Sequence, residues 1–455
     1  MTSVNMKRFS EQISATFSVI LSILIISLPG TGRGDETEQE ISLYRCIELA
    51  LENPEIMDSI YYEVDIAEIE LDRTDSQLYP HLGARYNYDY DFKQEDTYSG
   101  IEILLDGPYL QIPQNIVKRK ISKAKLKAAE YKSRRERAHI IYEVARNYCE
   151  LMKLQALETR ARDMLKIAEM EKKIVDIRKK EGLTLKPEMK EIGRKIITLK
   201  KSLESTRRSL KEGRLALSRS LSIEADFKLA PLDHQPAVGS DPERLIAWAR
   251  NNRSDARAIR ELIDLLKSSI KLATFDRWIP EPELYLGYGS PTSGDASDWY
   301  EKEGFYIRTA LSYTLWDWGE KASRIAQAKR ELERSLAALK AMPRKIRLEV
   351  AKSYAGLEKS WAKTENALRN RKTALEKLRI FRAQHEEEPA SEYNAARANL
   401  ELQQAEWELT IAISDETIAL VELAKATELE PVVLSRILSD PEAEIQSPGN
   451  EIEEE

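Results

Sequence analysis

Cysteine is nearly absent from this chain, with Cys46 and Cys149 the only two among 455 residues. That excludes a disulfide-stapled scaffold and any structural zinc site built on thiolates. Glycine and proline are sparse, at 17 each, too few for a loop-rich β protein of this length and in keeping with long helices. The histidines, His81, His139, His234 and His385, stand far apart without the spacing of a metal-binding pair, so no metal and no cofactor is expected. Positive charge is not in excess: 70 Lys and Arg against 77 Asp and Glu leave −7, which excludes nucleic-acid binding by bulk charge. No GxSxG, HExxH, P-loop or Gly-rich fingerprint is present, so no catalytic residue is assigned and the chain does not read as an enzyme. Long apolar runs are missing too. The one run, from Phe17 to Leu28, falls short of the ~20 residues that span a bilayer. With Lys7 and Arg8 before it and small residues after it, residues 1–34 read as a secretory signal peptide. An exported chain without a transmembrane helix is soluble or crosses a membrane as β-strands.

A long internal repeat is present. QLYPHLGARYNYDY around Pro80 answers RWIPEPELYLGYGS around Pro280. Tyr109, Ile121 and Ala124 answer Tyr313, Ile325 and Ala328, and the run Glu143 to Tyr148 answers Glu349 to Tyr354. A period near 200 residues is too long for a solenoid unit and marks a duplicated half-protein. The first repeat covers 35–229, a linker covers 230–242, and the second repeat covers 243–428. A C-terminal segment, 429–455, ends in an acidic tail expected to be disordered.

The helical parts carry a sharper signature than ordinary amphipathicity. Val117, Ile121, Ala124, Ala128, Tyr131, Arg135, Ala138, Tyr142, Ala145, Cys149, Met152 and Ala156 follow steps of four and three, with Arg135 the one charge. The returning segment repeats the alternation at Ile192, Ile196, Leu199, Leu203, Thr206, Leu210, Gly213 and Leu217. A period of 3.5 is the seam of a left-handed coiled coil. Pro343 is expected to interrupt and kink the equivalent long helix of the second half.

Strands are expected at about 82–92, 101–112, 283–289 and 304–315. In the first, Tyr86, Tyr88, Tyr90 and Phe92 alternate with Arg85, Asn87, Asp89 and Asp91. A lipid-facing aromatic row opposite a lumen-facing charged row fits a membrane barrel, although a half-buried strand in a soluble sandwich alternates in the same way. Four strands cannot close a barrel, since closed membrane barrels begin at about eight. The chain therefore asks for an oligomer, and three copies supply twelve strands. The fold class that follows is mainly α with a small β part. It has duplicated coiled-coil hairpins and four membrane strands per chain, forming a trimeric α-barrel and a shared twelve-stranded β-barrel.

With these features in hand, the chain resembles the outer-membrane efflux (TolC-like) family over roughly residues 40 to 428. The pieces that carry the resemblance are the opening helix from Leu43 through Cys46 to Glu55, the proline before each first strand, and Tyr313-Thr314-Leu315-Trp316-Asp317-Trp318-Gly319. The last looks like the family's strand-to-helix junction, with Trp316 and Trp318 expected in the interfacial aromatic belt rather than as a sugar platform. The resemblance implies a homotrimer in outer-membrane lipid of a Gram-negative-type bacterium, extending into the periplasm. It also implies two partners, a periplasmic adaptor (membrane fusion) protein and an inner-membrane transporter, and a function as passive duct for efflux or type I secretion. A periplasmic coiled-coil adaptor or spacer is the alternative. Glu188 and Glu392 fall at matching places in the two hairpin turns, where the resemblance implies a periplasmic gate. The same residues also suit helix N-termini.

Overall fold

The computed structural model describes residues 40–91, 96–106, 111–180, 186–234, 241–279, 281–289, 304–383 and 390–439. The signal segment and the acidic tail lie outside them. Glu40 and Asp226–Lys228 belong to a separate unit; the elements below belong to the other.

Nine helices are described: α1 Leu43–Glu52, α2 Pro54–Ser76, α3 Ile112–Lys180, α4 Lys186–Leu221, α5 Pro242–Asn252, α6 Ser254–Trp278, α7 Glu320–Ala383, α8 Ala390–Thr427 and α9 Pro431–Ser439. The larger sheet has four strands: β1 His81–Asp91, β2 Asp96–Asp106, β3 Glu281–Gly289 and β4 Gly304–Ser312. Two short helices, a strand pair and a long-helix hairpin thus occur twice in the same order.

Local chemistry sets the helix starts. Asn53 and Asp241 each accept a backbone N–H two residues on, at 3.0 Å, and each is followed by proline at the first helical position. The long helices are held by their seams. None of the twelve seam residues between Val117 and Ala156 is exposed, and the same holds for the eight between Ile192 and Leu217. At 69 residues, α3 reaches about 100 Å. Gly213 lies where α4 crosses α3, and a Cβ there would stand 3.3 Å from Leu151 Cδ1.

The repeated Glu-Val-Ala motif acquires a packing reason. Val144, Ala145 and Tyr148 are buried, as are Val350 and Tyr354 in the second copy. The Tyr148 hydroxyl reaches the carbonyls of Ala230, at 2.6 Å, and Ile41, at 3.1 Å. A core around Leu245, Ile346, Leu357, Leu423 and Leu434 joins α5, α7, α8 and α9.

Three expectations differ from what is observed. Helix α7 runs unbroken through Pro343. The proline forfeits a hydrogen bond to the carbonyl four residues back, but Met342 and Ile346 are buried on either side of it and hold the helix. The second strand is Asp96–Asp106 rather than 101–112, because Ile112 already begins α3. The fourth strand ends at Ser312, and Leu315 to Gly319 form the turn into α7 instead.

Candidate functional site

The sheet is antiparallel throughout, in the order β1-β2-β3-β4. Its register sorts the residues into two faces, because Cα partners in an antiparallel ladder share a face. One face pairs Leu82 with Leu105, Ala84 with Ile103 and Tyr86 with Ile101. It continues through Ile103 opposite Tyr288 and Leu105 opposite Leu286. It ends with Leu286 opposite Ile307, Tyr288 opposite Phe305 and Pro282 opposite Leu311. No charged residue occurs among these. The other face pairs Arg85 with Glu102, His81 with Asp106, Tyr285 with Arg308 and Glu283 with Ala310.

Much of the apolar face is exposed. Leu82 is 76% exposed, Phe305 91%, Ile307 73% and Leu311 71%, and the Tyr288 and Phe305 rings lie 5.0 Å apart across the strands. A contiguous apolar surface left in water marks an interaction site. Among the described residues, the outer edges of β1 and β4 also have no neighbouring strand.

Of the sequence-derived candidates, Tyr86, Tyr88 and Tyr90 hold register positions of the apolar parity, while Arg85, Asn87, Asp89 and Asp91 hold the opposite one. Phe92 lies outside the described residues. The residues that sequence reasoning missed are Ile103, Leu105, Leu286, Tyr288, Phe305, Ile307 and Leu311. Their signal was the same period-two alternation, in strands flanked by shorter cues.

At the junction below β4, Asp317 caps α7. Its Oδ1 accepts from the Gly319 N–H and its Oδ2 from the Lys321 N–H, each at 3.0 Å. These backbone donors hold its carboxyl below the usual range. Gly319 has φ +85° and Trp318 φ +53°, a left-handed pair in which glycine carries no Cβ penalty. The turn presents Trp316 and Trp318 edge to face at 5.7 Å, both largely exposed. Lys321 Nζ reaches the Asp276 carbonyl at 2.8 Å and fastens α7 to α6. In the first half the corresponding fastening is Arg119, bidentate to Asp75 at 2.6 and 3.1 Å, with Asn115 donating to the Gln77 carbonyl.

A buried charge network lies among α3, α6, α7 and α8. Arg253 is fully buried, donating to Asp255 at 3.1 and 2.6 Å, to Glu349 at 2.5 Å and to the Ala426 carbonyl at 3.3 Å. Burial pushes the Asp255 carboxyl up, but the Arg253 hydrogen bonds and charge outweigh it and hold the group below its ordinary value. Arg135, the charge in the α3 seam, meets Glu428 at 3.1 Å and the Lys425 carbonyl at 3.0 Å. The other Glu428 oxygen takes the Ser254 N–H at 2.7 Å, at the start of α6.

Glu188 and Glu392 are the third residues of α4 and α8, in the first turn of the returning helix of each hairpin. Among the described residues no helix is long and apolar enough to cross a membrane, and no group of three or more His, Cys, Asp or Glu is placed to hold a metal ion.

Neither a protein-family model nor a curated protein sequence matches the chain. Solved structures do match. The outer membrane protein VceC of Vibrio cholerae superposes with a TM-score of 0.64 at 16% identity, over 85% of this chain and 95% of its own. The Campylobacter jejuni CmeC outer membrane channel gives 0.64 at 13% identity, over 91% and 98%. The Neisseria gonorrhoeae MtrE outer membrane channel, in its open state, gives 0.60 at 15%, over 89% and 98%. The resemblance carried by the sequence and the likeness carried by the coordinates agree: along nearly its whole described length, the chain has the fold of the TolC-like outer-membrane channels.

Proposed function

We propose that this chain is one protomer of a passive export duct of a Gram-negative-type bacterium. Its sheet is embedded in the outer membrane and its helices form a tunnel into the periplasm. Three copies supply a twelve-stranded barrel, and the hairpin ends engage a periplasmic adaptor and an inner-membrane transporter of an efflux or type I secretion system. The observation that carries this reading is the sheet: an uncharged face continuous over four strands, with an open edge on each side. In water that face is a liability; against lipid tails it is at home, and the open edges pair with neighbouring copies. The face bearing Arg85, Glu102 and Arg308 then lines the aqueous lumen, and Trp316 and Trp318 sit at the level of the headgroups. A periplasmic adaptor has no use for such a face.

The experiment is single-channel recording of the purified oligomer in planar bilayers, which should give discrete conductance steps. Folded oligomer that inserts but passes no current contradicts the duct. On the same reading, Glu188 and Glu392 ring the periplasmic mouth. Replacing both by Gln should weaken cation selectivity and block by multivalent cations, with oligomer stability unchanged. Unaltered block would assign both residues to helix capping alone.

A further inference from the structure

A pocket of about 390 Å³ lies where the start of α1, the later turns of α8, α9 and the segment from Pro231 to Asp233 come together, with Trp361 of α7 in its wall. That volume suits a small organic molecule. The lining is mostly apolar and includes Leu43, Ile47, Leu420, Val421 and Leu438, so a guest with an apolar body gains by leaving water.

A charge is set into this lining. Glu416 is 5% exposed, and among the described residues it has one partner, the His234 Nδ1, at 3.1 and 3.0 Å from its two carboxylate oxygens. An ionised carboxylate accepts about four hydrogen bonds and is costly to bury with fewer. The neighbouring hydroxyls are already spent. Thr417 donates to the Ile413 carbonyl at 3.0 Å and Ser435 to the Val432 carbonyl at 2.9 Å, each within its own helix. Pro231 has no N–H to give. The lining also holds Asp233, and it holds no lysine or arginine. At the mouth the Tyr44 hydroxyl, bonded to Glu48 and near Glu430, has its pKa raised by both. The pocket thus offers acceptors, negative charge and aromatic surface; what it lacks is a cationic donor.

This set is particular to the second half of the chain. The first repeat has Gln155 where the second has Trp361, and an exposed Glu212 where the second has the buried Glu416. We infer that the pocket binds a small organic ammonium ion. Its N–H groups bond to Glu416, its charge rests near the Trp361 ring, and its apolar body fills the space between α1, α8 and α9. A protonated amine meets every feature of the pocket at once. A neutral molecule leaves the carboxylate without an opposing charge, and an anion is repelled by Glu416 and Asp233. Every lining residue belongs to one chain, so binding does not require the duct.

The test is equilibrium dialysis of the purified full chain in maltoside micelles at neutral pH, with uptake by protein-free micelles subtracted. The probes are phenylbutylammonium, the neutral phenylbutanol and the anion phenylbutyrate. The ammonium should bind saturably, one per chain and about tenfold tighter than the alcohol, as a hydrogen bond to a charged group requires. The butyrate should not bind. Glu416→Gln should bring the ammonium down to the level of the alcohol. Val432→Trp, at an exposed position in the lining, should block both probes with helical circular dichroism unchanged. If Glu416→Gln loses its helicity, Val432→Trp decides: the ammonium must outbind the alcohol in the unsubstituted chain and fail in the plugged one. Equal uptake of ammonium and alcohol by the unsubstituted chain would overturn the site. So would an ammonium preference that persists in folded Glu416→Gln or Val432→Trp.

Discussion

Arg135 interrupts an otherwise uncharged seam, and what makes it tolerable lies almost three hundred residues away, in Glu428. Arg253 is the more extreme case, since its guanidinium has no access to water and depends on Asp255 and Glu349. Removing it leaves two carboxylates without their partner. Arg253→Leu should cost about 3–5 kcal/mol, the usual penalty for breaking a buried pair, read from urea unfolding followed by helical circular dichroism. The pH dependence has a definite sign. The Asp255 carboxyl is depressed in the folded state, so its contribution is complete above the unfolded value near about 4 and is lost as pH falls through the depressed folded value. Stability of the unsubstituted chain should decline over that acid range, and the decline should be shallower in Arg253→Leu; identical slopes would remove Asp255 from the network. On the sheet, Ile307 and Ala310 are exposed near-neighbours of opposite parity. Arginine facing lipid costs about 2–4 kcal/mol at the midplane, so Ile307→Arg should abolish membrane-inserted oligomer while Ala310→Arg is tolerated. Equal damage from both would refute the assigned faces. The tyrosine alternation of β1 was legible because its period is local. Arg253 and Glu428 were not, because only the fold brings them together.

Elements were read best where their pattern repeats. The 3.5-residue seams of α3 and α4 depend on nothing beyond their own sequence, and no seam residue came out exposed. Pro343 misled because helix breaking is a local propensity of ~3 kcal/mol, whereas the burial of Met342, Ile346 and Val350 along α7 is tertiary. The strand ends shifted because Ile112 to Asn115 suits a helix start as well as a strand end, and Asn115 is fixed by its bond to the Gln77 carbonyl. At the α3–α4 crossing, Gly213 permits close approach to Leu151 and Leu154. Gly213→Ala meets only the flexible end of Leu151 and should leave the melting temperature unchanged or raise it, as alanine favours a helix by about 1 kcal/mol. Gly213→Leu should lower stability by about 1–3 kcal/mol through overpacking. Thermal melts that rank the two variants the other way would mean that the helices do not pack at this point.

For the whole molecule, the repeated order of elements was visible in the sequence, and four strands, too few for a closed barrel, led to the expectation of an oligomer. The continuity of the apolar face was not visible. It depends on β2 pairing with β3 across residues nearly two hundred apart, through Ile103 to Asp106 opposite Tyr285 to Tyr288, and no local pattern encodes that register. Once it is set, the uncharged face spans both halves of the repeat, and the proposed burial in lipid would account for it. The most direct measurement is the protein mass of the detergent-extracted complex, corrected for bound detergent. Three chains per particle, resistant to dilution and with intact helicity, is the predicted result. A single chain per particle that keeps its native helicity would contradict the shared barrel, and the duct with it.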